Sequence, residues 1–376
     1  MTLPSGLEAV RTPALVIDLD RVDQNLEATL RLLGGDGSRW RPHLKTVKLA
    51  RVMERIRKRG IGQAKVSTTL ELETACQAGF ADVLLAYPLA GPAIDLVREL
   101  PGRFPGTRIS ALVETPEQVE LWRGSEVGLF IDLNSGMNRT GMLLDEPARV
   151  VTLVRAIERG GLRFAGLHFY DGQAADFPPE QAAELVHRGY DRLAVLVGTL
   201  EQAGAGTPEV ITAGTPAFPH AVSYRGFPPG TVHRVSPGTV IYNDRRSLGQ
   251  MPPGSGYQAA VFVLSRAISH PRPDRFCTDA GHKAISADAG DPICEVIGHP
   301  EYAPRHPSEE HLPFEVPTGA PLPERGTLLA LLPTHVCPTV NNFDYAVMVQ
   351  ASRVVGMERV TARGRHPPLP GAAAGR

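Results

Sequence analysis

From about Arg39 to Asp244, short apolar runs rich in β-branched and aromatic residues alternate with longer stretches in which apolar residues recur every three or four positions. The short runs begin near Trp40 (WRPHLKTV), Gln63 (QAKVST), Asp82 (DVLLAYP), Arg108 (RISALVE), Val127 (VGLFIDLN), Arg163 (RFAGLHFY), Glu209 (EVITAG) and His233 (HRVSPGTVIY). Between them, Leu49 to Arg59, Leu70 to Ala78, Pro116 to Trp122, Val150 to Arg159 and Glu180 to Ala203 have the spacing of amphipathic helices. Strands separated by such helices build a parallel sheet from βα units. Roughly eight units predict a closed (β/α)8 barrel, whose chemistry sits on the loops beyond the C-terminal ends of the strands.

After Ser247 the helical period disappears. Pro and Gly punctuate strand-like runs such as GYQAAVFVLSRAIS, RFCTDAG, PFEV, GTLLALLPTHVC and YAVMVQASRVVGM, the texture of a β domain. The early run ALVIDLD precedes the first helix, has no place in an eight-strand count, and is expected to pair with that β domain. The predicted fold is therefore α/β: a barrel over residues 21–246, a C-terminal β domain of residues 1–20 plus 247–363, and a small-residue, Pro-rich tail at 364–376 expected to be disordered.

Charge narrows the function classes. Lys and Arg number 39 against 40 Asp and Glu, with no block of like charge, which argues against nucleic acid and against an anionic membrane surface as partners. No apolar run reaches the roughly 18 residues of a membrane helix, and no basic segment followed by an apolar one opens the chain. Cys76, Cys277, Cys294 and Cys337 are scattered without a CxxC pair, the usage of reduced thiols in the cytoplasm. The 38 glycines and 34 prolines, in a chain otherwise ordinary in hydrophobic content, predict many tight turns.

Five places carry candidate chemistry. Lys45, near the end of the first barrel strand, has the position of a desolvated amine suited to Schiff-base chemistry; a plain surface lysine is the ordinary alternative. In DLNSGMNRTG, a loop after a strand can bring Arg139 to an anionic group, or simply hold a structural Arg–Asp pair. His168 and Tyr170 share a parity on the strand RFAGLHFY and point the same way. The small-residue loops at Gly214–Thr215 and Gly238–Thr239 follow the seventh and eighth strands, where barrels commonly hold phosphate; each alone also reads as a turn. Last, His335 and Cys337 in PTHVCPT, two apart on a presumed strand, would offer imidazole and thiolate to one borderline-soft divalent ion at an open site.

At RPHLKTVK, GMNRTG, GLHFYDGQ, the paired small-residue loops and HVC, in this order, the chain resembles the pyridoxal-phosphate enzymes of the alanine racemase-like fold, and among them the D-threonine aldolase and D-serine dehydratase family. The resemblance runs from about Thr12 to Val360. It implies a barrel that binds pyridoxal 5'-phosphate, a β domain that takes up the N-terminal strand, and a homodimer. It also implies that Lys45 bonds the cofactor, that His168 and Tyr170 lie beside its ring and Arg139 near its polar edge, that Gly214, Thr215, Gly238 and Thr239 contact its phosphate, and that His335 and Cys337 hold a metal. His-x-Cys matches the zinc-dependent dehydratases, whereas aldolases of the family typically present His-x-Asp to manganese or magnesium; GHKA and SEEH, however, resemble a subgroup grouped with the aldolases. The implied activity is a lyase on a small β-hydroxy D-amino acid, by aldol cleavage or by dehydration. An amino-acid racemase and a non-catalytic pyridoxal-phosphate-binding protein are the further alternatives.

Overall fold

Seven parallel strands, Gln63–Val66, Asp82–Leu85, Arg108–Val113, Gly128–Asn134, Phe164–Phe169, Val210–Thr212 and His233–Val235, lie side by side in chain order, and Met142–Leu143 adds to Gly128–Asn134. The computed structural model describes residues 3–206 and 209–369. The expected first barrel strand is not a continuous ladder. It is reduced to two parallel bridges, Trp40 to Val235 and His43 to Lys65, because Pro42 between them has no N–H to donate. The carbonyl of Pro42 still accepts from Lys65 N–H at 2.9 Å, and Arg41 N–H donates to Val235 at 2.9 Å, so the segment joins the last strand to the first and closes the ring. Leu84, Leu112, Phe130, Ala165 and Ile211 pack together inside it.

The helices fall where the spacing predicts, at Ala50–Lys58, Thr69–Gln77, Pro116–Glu120, Pro147–Arg159 and Pro179–Gln202, with another at Ala93–Arg103. Their starts are chemically marked. Thr68 caps Thr69–Gln77 by accepting from Glu71 N–H, and Thr115 with Gln118 forms a capping box on Pro116–Glu120.

Contacts divide the chain into two compact units: Met1–Thr29, Thr46–Val52 and Thr239–Arg363 in one, Leu30–Lys45, Met53–Gly238 and Gly364–Arg376 in the other. The first is built on a nine-stranded sheet ordered Ala303–Pro304, Leu312–Glu315, Arg275–Thr278, Val261–Arg272, Ala14–Asp18, Tyr345–Gln350 and Arg353–Arg359, with Leu328–Pro333 beside Val261–Arg272 and Cys294–Val296 beside Leu328–Pro333. The run ALVID pairs antiparallel with Val261–Leu264 and parallel with Ala346–Val349. The unit is not wholly strand: Arg245–Gln250 and Val336–Asn341 are short helices. Of the tail expected to be disordered, 370–376 lies outside the described residues, while His366 ahead of it hydrogen-bonds Thr69 at 2.8 Å and Glu73 at 2.9 Å. No helix among the described residues is long and apolar enough to cross a membrane, and none of the four cysteines is in a disulfide.

Arg41, fully buried, staples the interrupted part of the barrel. Its Nε and Nη2 donate to the two carboxylate oxygens of Glu209 at 2.7 and 2.9 Å, and its Nη1 donates to Asp82 Oδ1 at 2.9 Å and to the carbonyl of Ala64 at 3.2 Å. Burial works against the charged guanidinium, but Glu209 and Asp82 outweigh it and raise its pKa. Arg234 also pairs with Glu209. Removing Arg41 leaves buried carboxylates short of their main partner, so Arg41→Ala is expected to cost about 3 kcal/mol in a chemical denaturation series; a loss below about 1 kcal/mol, the scale of an exposed ion pair, would contradict the staple.

Candidate active site

A cavity of about 440 Å³ opens where the barrel strands end, and Lys45, Lys65, Arg139, His168 and Tyr170 are among the residues lining it. Lys45 lies in the turn just past the His43 bridge, half-buried. Arg139 comes from the exposed loop after Gly128–Asn134. Tyr170 follows Phe164–Phe169 and is the hub: Lys45 Nζ, Lys65 Nζ and the Arg139 guanidinium carbon lie 5.8, 5.5 and 5.1 Å from its ring centroid. An aromatic face attracts cations, and here it gathers three. Two glycines make room for the ring, since a Cβ on Gly172 or Gly214 would stand 2.5 or 2.8 Å from it.

Beneath the ring sits a buried polar chain. Asp132 and His168 are register partners on neighbouring parallel strands, so their side chains point into the barrel together. His168 Nδ1 lies 2.7 Å from Asp132 Oδ1, and His168 Nε2 lies 3.3 Å from Lys65 Nζ. Burial, then the charge of Lys65, lowers the His168 pKa despite Asp132, so the imidazole is neutral at pH 7. Burial raises the Asp132 carboxyl, but the hydrogen bond from His168 and the charges around it bring the net pKa down. A neutral ring that donates Nδ1–H to a carboxylate keeps a lone pair on Nε2. That atom can accept a proton.

The two small-residue loops differ in what they leave available. Gly214 N–H already donates to Asp171 Oδ1 at 3.1 Å, and Thr215 is buried. A Cβ on Gly238 would meet the carbonyl of His43 at 2.2 Å, so backbone packing alone demands glycine there. Between them Ser236 is fixed by its backbone N–H on the carbonyls of Thr212 and Ala213, both at 2.9 Å, while its hydroxyl is buried without a hydrogen-bond partner.

In the other unit, His335 and Cys337 are brought together, but not on a strand as their spacing suggested. His335 is the N-cap of the helix Val336–Asn341, and Cys337 lies in its first turn. Pro338 is tolerated in a first turn, where backbone N–H groups need no helical partner, and Asp244 Oδ2 accepts the N–H of Val336 at 3.0 Å. His335 Nδ1 lies 2.6 Å from Asp288 Oδ2, and Cys337 Sγ lies 3.0 Å from Thr46 Oγ1 and 3.6 Å from Thr239 Oγ1. Burial lowers the His335 pKa, but hydrogen bonding and charge from Cys337 and Asp288 outweigh it and raise it to about 9. No group of three or more His, Cys, Asp or Glu among the described residues has the geometry to hold a metal ion.

Lys65, Asp132 and Asp288 were not singled out from the sequence as chemistry. Lys65 stands in the short run QAKV, and no local pattern distinguishes it from a surface lysine.

Comparison with known proteins places this site in a class. Residues 17–246 match the family model "Alanine racemase, N-terminal domain", and 260–349 match "Putative serine dehydratase domain". The barrel with its cavity is thus that of an alanine racemase-like enzyme. D-threonine aldolase from Arthrobacter sp is 28% identical over 371 residues, covering 95% of this chain and 94% of that protein. D-threo-3-hydroxyaspartate dehydratase from Delftia sp. (strain HT23) is 26% identical, covering 93% of this chain and 97% of that one. The crystal structure of D-threonine aldolase from Filomicrobium marinum superposes with a TM-score of 0.86 at 27% identity, covering 96% of this chain and 98% of that one. The chain belongs to the D-threonine aldolase and D-serine dehydratase family and is a lyase.

The geometry at His168 yields a spectroscopic expectation. In ¹⁵N-histidine spectra, the signal removed by His168→Asn should report the Nδ1–H tautomer. Asp132→Asn should shift it toward a mixture of tautomers; an unchanged signal would mean that Asp132 does not set the tautomer.

Proposed function

We propose that the chain is a pyridoxal-phosphate- and divalent-metal-dependent lyase that cleaves the Cα–Cβ bond of a β-hydroxy D-amino acid, giving glycine and an aldehyde. The observation that carries the reading is the cavity itself, where Lys45 stands with Arg139 and Tyr170 beside the buried His168–Asp132 pair. Its chemistry fits the cofactor: three cations suit an anionic ligand, and the buried Ser236 hydroxyl without a partner suits a phosphate oxygen nearby. In this reading Lys45 bonds the cofactor, Tyr170 and His168 flank its ring, Arg139 meets its polar edge, and the loops at Gly214–Thr215 and Gly238–Thr239 enclose its phosphate. Once bound, pyridoxal phosphate supplies an electron sink for charge developing at Cα.

His335 and Cys337 fit a metal less completely. An imidazole whose other nitrogen is held by a carboxylate, next to a thiol, suits zinc better than manganese or magnesium, which prefer oxygen ligands, but it provides two protein ligands. There the ion would act as a Lewis acid toward the β-hydroxyl oxygen.

The chain's own residues account for the proton chemistry. His168 Nε2, which carries the lone pair of the ring, takes the β-hydroxyl proton, and Asp132 Oδ1 stabilises the imidazolium that results. Arg139 offers positive charge to the substrate carboxylate, which holds a small zwitterion by local contacts. The thiol of Cys337 supports a second reading, dehydration of D-serine or 3-hydroxy-D-aspartate to a keto acid and ammonia. A cytoplasmic homodimer belongs to the same proposal.

Incubation with D-threonine tests the choice. Acetaldehyde and glycine in equal amounts, reduced by a chelator, are expected; 2-oxobutanoate and ammonia would establish the dehydratase instead. Cys337→Ala is expected to lower metal-stimulated turnover by more than about tenfold, measured with and without added zinc or manganese. Turnover untouched by either change would remove the metal from the mechanism.

A further inference from the structure

Lys65 is 1% exposed, yet its amine lines the cavity. An aliphatic side chain would fill a barrel interior at lower cost, because a buried ammonium needs a partner. The hydrogen-bond partner nearest its Nζ is not a carboxylate but the Nε2 of His168, 3.3 Å away. Asp132 lies on the other ring nitrogen at 2.7 Å, so the imidazole bridges the lysine and the carboxylate.

We propose that Lys65 is the positioning residue of His168 and its proton-exchange partner: its ammonium delivers a proton to Nε2, its neutral amine takes the proton back, and His168 is spared exchange with solvent. This rests on His168 being the base of the proposed lyase. In the transfer the N–H bond at Lys65 Nζ breaks, its electron pair stays on Nζ, and a new N–H bond forms at Nε2. The positive charge moves from the lysine to the imidazole, beside Asp132.

The surroundings ease the release of the Lys65 proton. Burial and the charge of Lys45 pull Lys65 down to about 7, with Arg41 adding to the fall and Asp171 and Asp132 opposing it. His43 faces the same space with its Nε2 engaged by Ser67 Oγ at 3.1 Å, and burial holds its pKa well below the ordinary value. Arg139 also lies against Tyr170, 5.1 Å from its ring centroid. A group that titrates near the working pH exchanges protons most effectively.

The test uses the full chain loaded with pyridoxal phosphate and D-threonine as substrate. Wild-type kcat should rise with pH through about 7, as Lys65 becomes neutral. Lys65→Met should retain the cofactor through gel filtration, keep KM within about threefold, lose roughly 100-fold in kcat, and lose the ionisation near pH 7. Lys65→Arg, which keeps the charge but holds its proton beyond about pH 12, should show the same loss and covers the case of an unstable methionine variant. Recovery of turnover by arginine, or persistence of the pH 7 limb in either variant, would overturn the proposal, as would loss of the cofactor from Lys65→Met. If the wild type itself neither retains pyridoxal phosphate nor acts on D-threonine, the lyase reading fails separately. The coupling is then read from ¹⁵N-histidine spectra: a step in the His168 shift near pH 7 that vanishes in Lys65→Met supports it, and one that persists refutes it.

Discussion

The barrel depends on a charge buried where its backbone ladder fails. Pro42 cannot donate, so the segment from Trp40 to Lys45 touches its neighbours only through bridges at Trp40 and His43. Arg41 makes good the loss with its side chain, binding Glu209, which directly precedes the strand Val210–Thr212, and Asp82 and Ala64 on the other flank. A broken strand thereby becomes a rigid one. The consequence for function is direct: the chain leaves the sheet at His43 and turns, and Lys45 enters the cavity instead of continuing a strand.

Charge crowding then defines what the cavity can hold. Lys45, Lys65 and Arg139 converge on Tyr170, while the carboxylates Asp132 and Asp171 are already committed, the first to His168 and the second to Tyr190 and Gly214 N–H. Burial, with the like charge of Lys45 beside it, is why Lys65 yields its proton near neutrality. A site of this kind favours a ligand that brings negative charge, and perturbed groups in a cleft are the usual mark of catalysis.

Much of this was legible in the sequence, for identifiable reasons. The βα rhythm survives because most strands are dominated by apolar residues and the helices between them repeat apolar residues every three or four positions, and Lys45, Arg139, His168 and Tyr170 do share a cavity because all four fall at or just beyond strand ends. The strand expected at Trp40 was misjudged because one proline outweighs the surrounding β-formers. The strand expected at His335 became a helix start because Asp244, some ninety residues away in the chain, accepts the first helical N–H, a contact no local pattern announces. Lys65, Asp132 and Asp288 acquire meaning only through register or long-range partners: Asp132 opposite His168, Lys65 beside its far nitrogen, Asp288 on His335.

The central claim is that one particular lysine of this cationic cavity bonds pyridoxal phosphate. Borohydride reduction of the protein loaded with pyridoxal phosphate, followed by proteolysis and peptide mass spectrometry, addresses it directly. The account predicts a single pyridoxyl group, on the peptide containing Lys45, with the peptide containing Lys65 unmodified. Attachment at Lys65, or no stable attachment at either lysine, would contradict it.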